Sequence, residues 1–142
     1  SVYQCHSFFQ ELWNEQKTWV TNKLRMSTAT WQIAVTHFPC GQDGEHGAFY
    51  RHLRGEGLDL LVTGHRHDQE LWGPTDGHNY MSGLACFVTG GGGGISSEAT
   101  PDPNNKKDWF GEAQYGFFDL TINKFKIFIE SINWDGTVAK ST

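Results

Sequence analysis

LDLLVTGHRHDQE, residues 58–70, is an apolar run of strand length that ends in a glycine, with two histidines following close behind. LDLLVTG (58–64) has the composition of a buried strand, and GHRH stands where that strand leaves its sheet. Two imidazoles so placed can both face a metal if the segment stays extended, because alternation otherwise sends neighbours to opposite faces. A metal that does chemistry usually takes carboxylate oxygen as well. Asp68 and Glu70 are not obviously placed to supply it.

Upstream, WQIAVT (31–36) is a second short β-rich apolar run with His37 at its C-terminal end. Between the two strands, GQDGEHG (41–47) reads as a Gly-rich loop. AFYRHLRGEG (48–57) reads as a helix stopped by Gly55 and Gly57. Ahead of WQIAVT, apolar side chains at Phe9, Leu12, Trp13, Trp19, Val20 and Leu24 are spaced for a one-sided helix over 8–26, broken at Thr28-Ala29-Thr30. Helix, strand, helix, strand is an α/β pattern with a parallel pair.

The second half changes character. LACFVTG (84–90) reads as a third strand running into Gly90–Gly94, and 95–113 as a long polar surface loop. YGFFDLTI and KFKIFIESINW alternate around Asn123-Lys124, which predicts a C-terminal β-hairpin within 114–142. The expectation is one partial domain over 1–142, with the histidine motifs in 1–94. Its class is α/β, an α+β β-sandwich with flanking helices.

A chain of 142 residues with 37% apolar and 14% aromatic side chains can bury one core and is too short for two. The formal charge of −5, with eleven scattered Lys and Arg, argues against a nucleic-acid binder. No apolar run approaches the ~18 residues of a membrane span. The start SVYQCHSFF has no initiator Met and no signal-peptide pattern, which suggests a processed or partial polypeptide. Cys5, Cys40 and Cys86 fit one disulfide plus a free thiol, or three buried thiols. The expectation is buried thiols.

His37 and the His65/His67 pair both follow predicted parallel strands, at the edge where open α/β sheets bind ligands. Neutral imidazole suits zinc, iron or manganese, so all three are candidate metal ligands. Gly90–Gly94 could form an anion nest, but a plain bend is expected, since no Lys follows at phosphate-loop spacing. Cys40 lacks an orienting partner for a nucleophile. His6, His52 and His78 read as structural or exposed, and Trp13, Trp19 and Trp31 as core.

WQIAVTHFPC, GEHG and LDLLVTGHRHDQE together resemble the C-terminal half of the calcineurin-like metallophosphoesterases, nearest to the small, tartrate-resistant type of purple acid phosphatase. The likeness runs from about Gln16 to Trp134. It implies the C-terminal half of a four-layer fold and hydrolysis of phosphate monoesters at two metal ions, iron together with zinc, manganese or a second iron. By the same likeness His37 and His65 bind one ion and His67 the other. His46 lies beside the substrate phosphate and protonates the leaving group, a task suited to an imidazole pKa of about 6.5. Glu45 is a weaker acid–base candidate and is expected to be an exposed loop carboxylate. The resemblance also implies a secreted or organellar setting.

The family pattern opens with Asp-x-His, Gly-Asp-x-x-Asp and Gly-Asn-His, and none of these occurs here. Asp43, Asp59, Asp68 and Asp76 stand in no such context. The implied partners are therefore a phosphate ester and the N-terminal half of the same domain, and the chain alone is expected to be inactive. Two alternatives stand beside this reading: a pseudo-phosphatase or structural subunit of a larger assembly, and a hydrolase holding a single zinc on His37, His65 and His67.

Overall fold

The computed structural model describes residues 2–40, 44–76, 79, 81–94, 111–112 and 115–142. His78 and most of the expected surface loop, residues 95–110, lie outside the described residues. Helix α1 spans Val2–Met26 and is followed by strand β1 (Ile33–Val35), helix α2 (Glu45–Gly55) and strand β2 (Leu60–Thr63). Strands β3 (Gln69–Trp72), β4 (Ala85–Thr89) and β5 (Gly111–Glu112) complete a five-stranded sheet in the order β1-β2-β4-β3-β5. A second sheet is the antiparallel meander β6 (Gly116–Ile122), β7 (Ile127–Asn133) and β8 (Val138–Ser141). The two sheets and two helices form an α/β architecture of the expected class.

β1, β2 and β4 run parallel, as the repeated helix–strand pattern requires. β3 and β5 are antiparallel additions beyond β4. Alternation then assigns each side chain to one of two cores. Leu61, Cys86, Val88 and Trp72 face the helices and pack with Tyr50, Leu53 and Leu58. Leu60, Phe87 and Leu71 face the second sheet and pack with Ile129. Phe87 stacks on Phe118 with ring centroids 4.4 Å apart, fixing one sheet over the other.

Several expected elements differ in detail. α2 starts at Glu45 rather than in the AFYRHLRGEG segment, because Gly44 turns the chain at φ 83° and accepts the Ala48 N–H in the first helical bond (3.0 Å). Glu45 and His46 therefore sit in the first turn of a helix, not in a loop. The segment QELW is a strand, and residues 111–112, expected in the loop, pair with it. The C-terminal hairpin gains a third strand, β8.

α1 begins at Val2, six residues before the expected start, and none of its residues is buried. Trp13, Lys17, Val20, Thr21 and Leu24 form its inner, partly buried stripe. Trp19 is 62% exposed, so it is not a core residue, and Trp13 and Trp31 are only partly buried. Polar contacts hold α1 to α2: Lys17 Nζ to Glu45 Oε1 at 2.7 Å, Arg25 Nη2 to Glu56 Oε1 at 2.5 Å, and Thr21 Oγ1 to His52 Nε2 at 3.2 Å. Among the described residues no helix is long and apolar enough to cross a membrane.

The cysteines depart from the expected buried thiols. Cys40 and Cys86 form a disulfide between the loop after β1 and the middle of β4, and Cys5 is free and exposed on α1. Cys40 is thereby excluded as a nucleophile.

Candidate metal-binding site

The C-terminal ends of the adjacent parallel strands β1 and β2 open onto one edge, and their following loops meet there. His37 Nε2 lies 3.0 Å from His65 Nδ1, with ring centroids 4.9 Å apart, and both side chains are exposed. The facing nitrogens are at hydrogen-bond distance, with the donor set by the tautomers of the two rings. His65 holds a φ of 72°, a left-handed conformation that a non-glycine residue adopts only when its surroundings enforce it.

The surroundings that enforce it are visible. Gly64 N–H donates to His37 O (3.2 Å) and Arg66 N–H to Gly64 O (2.9 Å), closing the turn. The Arg66 guanidinium reaches Glu70 Oε1 (2.5 Å) and Cys40 O (3.1 Å), bracing the two histidine loops against each other. Glu70 is fully buried, and Trp72 Nε1 donates to its second oxygen at 2.9 Å. Beneath the turn, Gly90 N–H donates to Asp68 O at 3.0 Å. A Cβ on Gly90 would fall 1.7 Å from Arg66 O and 3.2 Å from His67 Cα. The first glycine of the run is thus neither a nest nor a loose bend; it is a packing contact of backbone on backbone.

Asp68 is fully buried below the turn, and both its carboxylate oxygens lack a hydrogen-bond partner among the described residues. Burial, followed by the neighbouring Glu70 charge, pushes its carboxyl up to about 7. Asp68 and Glu70 are accordingly buried beneath the turn that carries His65 and His67.

Phe38 joins the remaining candidate to the histidine pair. Its ring stacks on His46 at 4.5 Å between centroids and contacts His37 at 5.4 Å and His65 at 5.5 Å. Trp13 closes the other side of His46 at 5.2 Å. Tyr50 Oη donates to Phe38 O at 3.0 Å, which fixes the loop after β1 that carries His37 and Phe38. Glu45 bonds away from the cluster: Lys17 and the Trp13 indole N–H donate to its carboxylate and hold it below the ordinary range. His52 faces α1 and is not in the cluster.

The structure therefore brings His37, His65 and His46 into one aromatic cluster. Among the described residues no set of three or more His, Cys, Asp or Glu side chains converges as a metal site. His37 and His65 meet as a pair, and among the described residues no third such donor groups with them. Phe38, the disulfide and the Arg66–Glu70 brace were not singled out from sequence. The spacing THFPC placed Phe38 beside His37, but only the stack on His46 gives it a role.

No family model matches the sequence, and no curated protein does. Solved structures do match. A purple acid phosphatase isolated from yellow lupin (Lupinus luteus) seeds superposes with a TM-score of 0.69 at 20% identity, over 89% of this chain and 27% of that one. GAP50, described as the anchor in the inner membrane complex of Plasmodium, superposes with a TM-score of 0.67 at 19% identity, over 94% of this chain and 41% of that one. The chain spans less than half the length of either structure. It has the α/β fold of the C-terminal part of a purple acid phosphatase.

Proposed function

We propose that this chain is the C-terminal part of a dinuclear-metal phosphoesterase that hydrolyses phosphate monoesters. The observation that carries the reading is the meeting of His37 and His65 at 3.0 Å, from loops at the ends of neighbouring parallel strands. In this reading His37 and His65 hold one ion and His67 the other, the ions being iron with zinc, manganese or a second iron. Two such ions, when bound, supply an activated hydroxide and a clamp on the phosphoryl oxygens. His46 donates the proton to the leaving oxygen, held in place by the Phe38 stack and by Trp13. Phosphoryl transfer asks for little else from the protein beyond positioning and charge.

The remaining ligands belong to a part of the domain outside this chain, which makes the 142 residues inactive alone. Two cations on imidazoles without bridging carboxylates would repel, which supports that division. A secreted or luminal setting fits the Cys40–Cys86 disulfide. The second reading, a non-catalytic subunit of a larger assembly, draws on the likeness to the Plasmodium anchor protein and on the incomplete ligand set. A single zinc on three histidines gains no support from the geometry, since the three do not converge.

The test uses the natural polypeptide as the cell makes it. Metal analysis should give two ions per molecule, with phosphomonoesterase activity lost in His65→Ala. Intact protein without bound metal or turnover would leave the non-catalytic reading in its place.

A further inference from the structure

The parallel strands β2 and β4 begin at Leu60 and Ala85, the ends remote from the histidine turn, and there the two sheets part around a cavity of about 330 Å³. Leu60, Ala85 and Ile129 line it, so it lies between interior strands of one sheet and the centre strand of the other. Its volume falls at the low end of the ~300–1,000 Å³ range of small-molecule sites, which are apolar with a few convergent polar groups.

One residue fixes the rim. Asn123 O accepts the Trp31 indole N–H at 2.6 Å, and Asn123 Oδ1 accepts the Phe125 and Lys126 amides at 2.8 and 3.1 Å. Trp31 and Phe125 both line the cavity and are therefore held by the same hairpin turn, although Phe125 is 78% exposed. Two aromatic rings set in place beside an apolar floor need no rearrangement to receive an apolar group.

Two opposite charges line the same cavity without neutralising each other. Arg54, near the end of α2, and Asp59, just before β2, are both in its wall, yet neither has an ion-pair partner among the described residues. Arg54 Nε is buried with no hydrogen-bond partner, and Nη1 reaches only Leu58 O, at 3.5 Å. Buried donors of this kind ordinarily have an acceptor, and the guanidinium fork matches a carboxylate. Asp59 Oδ2 accepts the Gln32 N–H at 2.9 Å, and among the described residues nothing donates to Oδ1. Lys126 also lines the cavity, but its ammonium lies 5.4 Å over the Phe128 ring, which leaves Arg54 as the cation.

We propose that this cavity binds a free α-amino acid with an apolar side chain. The carboxylate takes the Arg54 fork, the ammonium donates to Asp59, and the side chain lies between Trp31 and Phe125 over Leu60 and Ile129. A ligand with a carboxylate alone would bring a like charge to Asp59, and an amine alone would leave Arg54 unanswered; a zwitterion satisfies both. The proposal is independent of the phosphoesterase reading. The cavity sits at the opposite end of β2 from His65, and its walls all come from this chain.

Isothermal titration of the natural polypeptide with L-phenylalanine tests this, and one saturable site is expected. 3-Phenylpropionate, which lacks the ammonium, and phenethylamine, which lacks the carboxylate, should each bind about ten- to a hundredfold more weakly. Arg54→Met should cost a similar factor and Phe125→Ala about two- to tenfold. His65→Ala should leave the affinity unchanged. No saturable binding at about 1 mM overturns the proposal. So does equal affinity for 3-phenylpropionate, and so does binding that survives Arg54→Met in a protein that melts with the parent. Loss of binding in His65→Ala would place the amino acid at the histidine cluster and overturn it as well. The two analogues are measured on the parent protein, so they decide the matter even where Arg54→Met fails to fold.

Discussion

Gly90→Ala puts one methyl group against the turn that carries His65 and His67. The added Cβ would sit 1.7 Å from Arg66 O and 2.7 Å from Arg66 C, where ordinary contact begins near 3.4 Å. The two backbone segments must therefore part by about 1.7 Å, because no flexible side chain is available to give way. Gly90 is not among the residues with positive φ, so the effect is contact and not dihedral strain. Overpacking of this kind costs about 1–3 kcal/mol, and loss of the Gly90–Asp68 backbone bond adds about 1 kcal/mol. Together they should lower the thermal midpoint by roughly 6–15 °C. On the proposed phosphoesterase reading, a displacement above 1 Å at the His65 turn should also cost about a hundredfold in rate. Gly92→Ala is the control, because a Cβ there meets nothing within 4 Å. Circular dichroism melts of the two variants decide the matter. If Gly90→Ala melts within about 2 °C of Gly92→Ala, the packing account of the turn is wrong.

Arg66→Ala should destabilise by roughly 3–5 kcal/mol in urea titrations, since it strands the buried Glu70 carboxylate. Adding Glu70→Gln should recover about half of that by removing the charge while keeping an acceptor for Trp72, and no recovery would refute the stranded-charge account. The α1–α2 ion pairs give a pH dependence with a defined sign. Glu45 and Glu56 are held below the ordinary 4.5 by Lys17 and Arg25, so their contribution is complete above that value and is lost as pH falls through the lower folded value. The Trp13 indole N–H resonance, which reports its bond to Glu45, should titrate with a midpoint below 4.5 and move up in Lys17→Ala. A midpoint at or above 4.5 in the parent would contradict the pairing.

The parts of the fold legible in sequence were those with strong local signals. Apolar runs ending in Gly64 or His37 marked β1 and β2, and strand order alone brought His37 to His65. β3 was hidden because Gln69 and Glu70 are polar and yet fully buried, so QELW carries no apolar alternation. β8 is short and partly polar, and a strand of that kind is defined by its partner, here β7. Helical periodicity identified α1 and its inner stripe, but periodicity cannot say whether anything covers the outer one. Trp19 was read as core for that reason. At the site, the histidines follow from their positions at strand ends, whereas Phe38, Arg66 and Gly90 act through contacts between segments distant in sequence.

The Cys40–Cys86 bond also sets an order of events during synthesis. Cys5 and Cys40 leave the ribosome before Cys86, which follows Cys40 by 46 residues. In an oxidising lumen those first two thiols meet earlier than the native pair can, and a Cys5–Cys40 bridge would tie α1 to the loop that carries His37. Thiolate exchange can correct such a bridge only while Cys40 is accessible, because in the finished fold it is fully buried. Where the chain folds in an oxidising compartment, the exposed Cys5 on α1 is the thiol that competes with Cys86 for Cys40.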